Sequence, residues 1–440
     1  MTKNDSKTIF GWCMYDWANS AYATTVAAGL LPIYFASVIV GADGLTIRGT
    51  TYSATTLWGI VVGMAAFTAF LVTPILGAIA DFAKAKKRFL LLFAYTGSLF
   101  TILLYFSKEG DVLSTLIVFF IAQVCFIGAN VFYDAFLPHI CTDEEMDRVS
   151  GKGYSYGYIG GGLQFALTLA LVAGHNIIGI SQPLAVRIGI LSAGLWWAGF
   201  TLFTAKNLIE VRRTSSPSER QRNLGLSPVV YASVGFSRLL ETAKHVRRFR
   251  HLVLFLIAYM LYNDGIQTVL NMATIYGAEE LKLSATPLLV TLLIIQLVAS
   301  VGAFIFSSYA ALVGTKRAVM TSLVLWSLVV VYAYFITSTA QFFATGVMVG
   351  IVMGGSQALS RSFYGSMIPK EASAEFYGFY TVFSKFSAIW GPFVFAFIRQ
   401  TTGSARNSIL SIIVFFILGL VLLYFVDEKK AREAKLSGAF

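Results

Sequence analysis

The chain is poor in charge: only 12% of its 440 residues are Asp, Glu, Lys or Arg, against 57% hydrophobic residues and a mean hydropathy of +0.72. Such a composition excludes a soluble domain, because one core could not hide that much apolar side chain. Cysteine is scarce as well. Cys13, Cys125 and Cys141 show neither CxxC spacing nor a neighbouring His cluster, which argues against disulfides and structural zinc. No GxxxxGK[ST] stretch is present to cradle a phosphate, and no HExxH is present to hold a catalytic zinc. An enzyme, an ATP-driven pump, a cofactor and a metal site are therefore not expected. The first ten residues are polar and the first apolar run is long and contains Asp16 and Asn19, so no cleavable leader is expected either.

What the chain does have is length of apolar sequence. Stretches of about 20 residues suffice to cross a hydrocarbon layer about 30 Å thick, and twelve are found, at about 14–40, 54–81, 88–107, 113–137, 153–175, 186–205, 251–276, 286–313, 317–336, 341–367, 377–398 and 406–426. They are apolar all round rather than alternating, so an all-α membrane protein is predicted and not a barrel. With the spans alternating in direction, 25 of the 33 Lys and Arg fall on the side of both termini and six on the other. Both termini should then be cytoplasmic. The net charge of +11 is accounted for by that basic face against an anionic inner leaflet, with no nucleic acid needed.

A hydrophilic interval divides the chain into a six-span half at 1–205, a cytoplasmic linker at 206–250 and a second six-span half at 251–440. The end of the linker, VVYASVGFSRLLETAKHVRRFR, spaces Phe236, Leu239, Leu240, Ala243 and Val246 like one face of an amphipathic helix, suited to the membrane surface or to a partner. The halves match in detail. The fourth span ends FYDAFLP and the tenth FYGSMIP, which sets Asn130 opposite Arg361, while Lys86-Lys87-Arg88 and Lys316-Arg317 follow the second and eighth spans.

Polar residues three, four or seven apart share a helix face. Four such faces occur: Asp16, Asn19 and Tyr22; Gln123, Asn130 and Asp134; Asp264, Gln267 and Asn271; and Gln357, Arg361 and Tyr364. With Lys385 in the eleventh span, they place ionic groups where each costs roughly 2.5–3.5 kcal/mol to insert, so each must be paired, hydrated or useful. Arg361 suits a substrate carboxylate or phosphate through its forked donors, with Lys385 adding positive field. A second role is open: Arg361 pairs permanently with Asp16 or Asp134 and closes the cytoplasmic side. Lys385 could equally snorkel. Asp264 is the candidate to bind a substrate amine or carry a coupling proton. Gly160-Gly161-Gly162, Gly350, Gly354 and Gly355 serve either close packing or hinging. Tyr15, Trp17, Tyr22 and Tyr259 are candidates to face a cavity, whereas Trp58, Trp196, Trp197 and His175 read as interfacial.

Two six-span halves joined by a cytoplasmic loop resemble the major facilitator superfamily. Gly77-Ala78-Ile79-Ala80-Asp81, followed by Lys84, Lys86, Lys87 and Arg88, resembles its signature between helices two and three. The resemblance implies a cytoplasmic gate in which Asp81 meets the N-terminal end of helix eleven. Phe82 stands where a basic residue is usual, which implies a weakened lock. Tyr15-Asp16-Trp17-Ala18-Asn19-Ser20-Ala21-Tyr22 with Gln357-Ala358-Leu359-Ser360-Arg361-Ser362 resembles the vacuolar effluxers, a family that includes autophagy-associated amino-acid exporters. It implies a transporter that moves small solutes, amino acids in its best-known branch, toward the cytosol. The expectation is a proton-coupled, alternating-access transporter of a small zwitterionic or anionic organic solute, amino acids first, working as a monomer. Peptidoglycan fragments, siderophores and other metabolites stay open as substrates, as do the channel and receptor classes that hydropathy alone allows. A bacterial plasma membrane is expected, or a vacuolar or lysosomal one in a eukaryote.

Overall fold

The computed structural model describes residues 3–41, 44–47, 49–210 and 249–436. The amphipathic segment expected at the end of the linker falls almost wholly outside the described residues. Among the described residues, twelve helices are long and apolar enough to cross a membrane: Ser6–Val40, Ala54–Ala83, Lys86–Phe106, Val112–Ile140, Met146–Ala173, Gln182–Asn207, Arg250–Ala278, Pro287–Val313, Thr315–Phe335, Thr339–Met367, Lys370–Thr402 and Ala405–Tyr424, here spans 1 to 12. Beyond them are a hairpin of β1 (Leu45–Ile47) and β2 (Thr50–Tyr52), paired antiparallel with Leu45 opposite Tyr52, and a C-terminal helix, Glu428–Leu436.

Span limits follow local chemistry. Span 1 begins eight residues before the hydropathy limit, because the Asp5 carboxylate accepts the Thr8 backbone N–H at 2.9 Å and caps the first turn. Ser53 and Ser181 cap spans 2 and 6 in the same way, and Ser338 with Gln341 forms a capping box on span 10. Span 1 also carries two π-helical stretches, Tyr22–Leu30 and Phe35–Val40. Span 11 was expected to be continuous and is broken: helix runs over Ser373–Phe386 and again over Trp390–Thr402. Pro392 has no N–H for the Ala388 carbonyl and disfavours helix before it, which opens the chain there.

The halves meet along two seams, span 2 with span 11 and span 5 with spans 8 and 10. On the first seam Gly77 lies so close to the Ala374 carbonyl that a Cβ there would collide with it. Within the second half Gly354 packs in the same manner on Ala299. Of the two roles open to the span 10 glycines, close packing is the one the geometry displays. The Asn4 N–H donates to the Ile140 carbonyl at 2.8 Å, and Lys435 meets Asp143 at 2.9 Å, so the first and last described segments lie at one face, beside the link between spans 4 and 5. We call it the terminal face. Trp197 proves fully buried rather than interfacial, and Trp58 stacks on Phe119 inside the first half.

Candidate transport site

Cross-half hydrogen bonds run from the terminal face to mid-depth, where Gln296 donates to Thr24 Oγ1 at 2.6 Å and Tyr158 donates to Gln357 Oε1 at 2.7 Å. A chamber of about 340 Å³ lies between the halves at this level. Asp16, Asn19, Asn130, Asp134, Gln267, Gln357, Arg361 and Lys385 all line it, as does Tyr259. Helical spacing explains why they converge, since each set occupies one face of spans 1, 4, 7 and 10. A second chamber of about 370 Å³ adjoins it and shares Thr24, Tyr158, Gln267, Gln296 and Gln357, with Asn271, Leu292 and Met353 added. The first holds all the ionic groups. The second is lined by amides, the hydroxyls of Thr24 and Tyr158, and apolar side chains.

Arg361 is 2% exposed and every branch of its guanidinium is engaged. Nε donates to Ser150 Oγ at 3.0 Å and Nη2 to the Ser150 carbonyl at 2.9 Å. Nη1 lies 3.2 Å from Asp134 Oδ1 and 3.5 Å from Asp16 Oδ2. The rings of Tyr154, Trp12 and Tyr133 surround the guanidinium at 4.1, 4.8 and 5.3 Å. A desolvated cation on an aromatic face gains about 2 kcal/mol per good contact. Arg361 of the second half is thus fastened to spans 1, 4 and 5 of the first. Lys385 differs: among the described residues no hydrogen bond or ion pair engages its ammonium group.

Nearer the terminal face a second cluster ties the halves. Asp81 meets Lys86 at 2.8 Å and accepts the Glu375 backbone N–H at 2.9 Å, at the first turn of span 11. Lys86 also donates to Ser373 Oγ at 2.8 Å and contacts His139 Nε2 at 2.9 Å. Phe82 follows Asp81 where a basic residue was expected, and the cation that meets the carboxylate is Lys86, two residues past Lys84, which takes a left-handed conformation, φ 53°. Lys87 and Arg88 stand apart: Lys87 contributes its backbone N–H to Glu210, and Arg88 is exposed. Asp147 accepts hydrogen bonds from Ser362 and Thr315 across the other seam. Outside the spans, Asp143 bridges to Lys435 at 2.9 Å and Lys370 at 3.7 Å. Partial burial pushes the Asp143 carboxyl up, but the hydrogen bond and charge of Lys435, with Lys370 and Lys3 nearby, outweigh it and hold the group below the usual carboxylate range.

Three expectations land elsewhere. Asp264 does not line either chamber: it is 1% exposed, and its carboxylate accepts the backbone N–H groups of Trp390 at 3.1 Å and Gly391 at 2.9 Å, capping the second helix of span 11. Tyr22 turns into the first half and donates to Gln123 at 2.8 Å. Asn271 belongs to the second chamber. The stretch Gly153–Gly157 spells G-x-S-x-G, yet it is continuous helix in span 5 and Ser155 donates to the Ser300 carbonyl, so it forms no nucleophile elbow. Sequence reasoning missed Ser150, Tyr154 and Tyr158 of span 5, Asn263, Ser373 and His139. Gln296 was also missed, although a lone amide within LVTLLIIQLVASV is a readable signal.

Residues 4–436 match the family described as "Vacuole effluxer Atg22 like". The chain is 33% identical over 435 residues to an uncharacterized MFS-type transporter, YxiO, of Bacillus subtilis (strain 168), covering 98% of each. It is 25% identical over 390 residues to autophagy-related protein 22 of Saccharomyces cerevisiae (strain ATCC 204508 / S288c), covering 80% of this chain and 73% of that one. The fold is similar to that of the human organic anion transporter MFSD10 (TETRAN), with a TM-score of 0.68 and 14% identity over 96% of this chain and all of that one.

Proposed function

Since the chain belongs to the Atg22-like vacuole effluxer family of major facilitator transporters, which are not enzymes, we propose that it carries a small zwitterionic or anionic organic solute, amino acids first, driven by a proton gradient. The observation that supports this reading is Lys385: of the two cations that line the chamber, Arg361 is held by protein groups on every branch, whereas among the described residues the Lys385 ammonium has no ion-pair partner. A solute carboxylate entering the chamber would meet a charge with no protein partner, whereas Arg361 would first have to abandon four polar contacts. We assign Lys385 to solute binding, with Asn19, Asn130, Gln267 and Gln357 as hydrogen-bonding lining, and Arg361, Asp16, Asp134, Asp81 and Lys86 to the gate. The basic terminal face is placed in the cytoplasm and the membrane is taken as a bacterial plasma membrane, in keeping with the bacterial relative.

The adjoining second chamber favours a larger solute, such as a short peptide, as the second reading: a charged end at Lys385 would leave an uncharged tail among Asn271, Leu292 and Met353. The test is a melting-shift panel of amino acids, short peptides and organic acids on the purified protein, followed by counterflow in vesicles. Lys385→Met should weaken the stabilising solute by about tenfold or more, the value of one lost charged contact. A full-strength shift in that variant would remove Lys385 from the site, and ionic current without counterflow would make the protein a channel.

A further inference from the structure

We propose that the coupling proton binds the Asp16–Asp134 pair, and that its arrival loosens the Arg361 tie and so opens the terminal face. The inference rests on the proton-driven reading above and supplies its site. Asp16 of span 1 and Asp134 of span 4 place one carboxylate oxygen each on the same nitrogen of Arg361, at 3.5 and 3.2 Å. Two carboxylates thus share one cation. Their side chains are 13% and 14% exposed and both border the first chamber, so water reaches them from there while Arg361 is sealed at 2%.

The other groups facing the pair do not correct the imbalance. Tyr133 of span 4 donates to Asp16 Oδ2 at 3.1 Å, and Tyr154 and Tyr158 of span 5, Tyr259 of span 7 and Tyr380 of span 11 line the same chamber as neutral phenols. Tyr377 of span 11 donates to the Arg361 carbonyl at 3.1 Å. Lys385 borders the chamber but forms no ion pair with either carboxylate. One negative charge is left over at the seam between the halves, where like charges repel strongly. A proton removes that excess and needs neither room nor a ligand shell, and among the described residues no group of three or more Asp, Glu, His or Cys could hold a metal there.

The consequence for the gate follows from connectivity. Arg361 is fastened to spans 1 and 4 through these two carboxylates, with Ser150 of span 5 as its third anchor. A proton arriving through the chamber adds to Asp16 or Asp134 and turns one ion pair into a weaker contact between the guanidinium and a neutral carboxyl. The halves then part more easily at the terminal face. Once that face opens, the proton leaves to its side and the ionic tie re-forms on closure. Asp264 has no part in this cycle, because both of its oxygens hold backbone N–H groups of span 11.

The test uses the full chain in lipid nanodiscs, spin-labelled at Ala83→Cys and Lys429→Cys, exposed positions on the two halves at the terminal face, with distances measured at pH 5 and pH 8. In the parent the open fraction should rise by about tenfold or more at pH 5, as expected for an ordinary coupling energy. Asp16→Asn and Asp134→Asn, taken singly, leave one carboxylate for one guanidinium and should abolish the pH response; Asp16→Glu and Asp134→Glu should restore it. Asp264→Asn should respond as the parent does. A parent without a pH response refutes the proton-driven reading itself. A response that survives both Asn variants, or vanishes in Asp264→Asn alone, refutes only the site. Opening that ignores pH but follows an added amine-bearing solute, glycine being the probe, would give the pair to an ammonium group and overturn the proposal.

Discussion

Replacing Arg361 by alanine separates its two candidate roles. The substitution deletes both bonds to Ser150, the contact with Asp134, the approach to Asp16 and the guanidinium packed among three aromatic rings. Removing one partner of a buried ion pair costs about 3–5 kcal/mol. Asp16 and Asp134 retain 13% and 14% exposure to the chamber, and water there relieves part of the uncompensated charge, so the low end, about 3 kcal/mol, applies. The loss falls on the state in which the terminal face is closed, because only there do the halves meet through Arg361. About 3 kcal/mol corresponds to roughly a 150-fold shift of the closed–open equilibrium toward open. Cys141 provides a native reporter. It lies just outside span 4, is fully buried, and burial pushes its thiol up to about 12, so maleimide reaches it only on opening. Alkylation of Cys141, read by peptide mass mapping, should accelerate by up to that factor in Arg361→Ala. An unchanged rate together with lost solute binding would return Arg361 to the binding site and refute the gate.

Asp264→Leu should lower the melting temperature by removing two charge-assisted bonds to the break in span 11, each worth about 1.5–3 kcal/mol, whereas Asp264→Asn, which keeps an acceptor, should lose less; equal melting of all three proteins would dismiss the cap. The Asp143 bridge to Lys435 should be pH-dependent in one direction. Because the Asp143 carboxyl is held below its ordinary value, its contribution is complete above the unfolded value of about 4 and fades as pH falls through the lower folded value. With 28% exposure the bridge is worth no more than about 1 kcal/mol, so Asp143→Asn should matter little at high salt or strongly acid pH and measurably at pH 7 in low salt. Gly77→Leu should drive a side chain into the Ala374 carbonyl and raise Cys141 alkylation while leaving each half folded, as limited proteolysis would check; a slower rate than in the parent would contradict the close seam.

The polar face of span 10 was legible before any coordinates, because Gln357, Arg361 and Tyr364 recur at helical spacing in an otherwise oily run. Spacing could not say where the arginine's donors go, since Ser150 and Tyr154, on a different span, decide that. Asp264 was misplaced for a related reason. Its partners are backbone N–H groups freed by a break in another helix, and no side-chain pattern announces a broken helix four spans further on. Lys86 illustrates the converse: its charge was plain in sequence, but its contact with Asp81 depends on the chain turning between them, with Lys84 in a left-handed conformation.

Taken alone, the amino-acid sequence determined the class, the number of spans, the two related halves and the set of polar residues held within the membrane. Hydrophobic length and period are local quantities, set by the cost of placing each side chain in oil. Tertiary structure alone decided which of those polar residues are bound to protein and which stand free. That division arises from distances between helices far apart in the chain, and it leaves Arg361 enclosed by the first half and Lys385 facing the chamber.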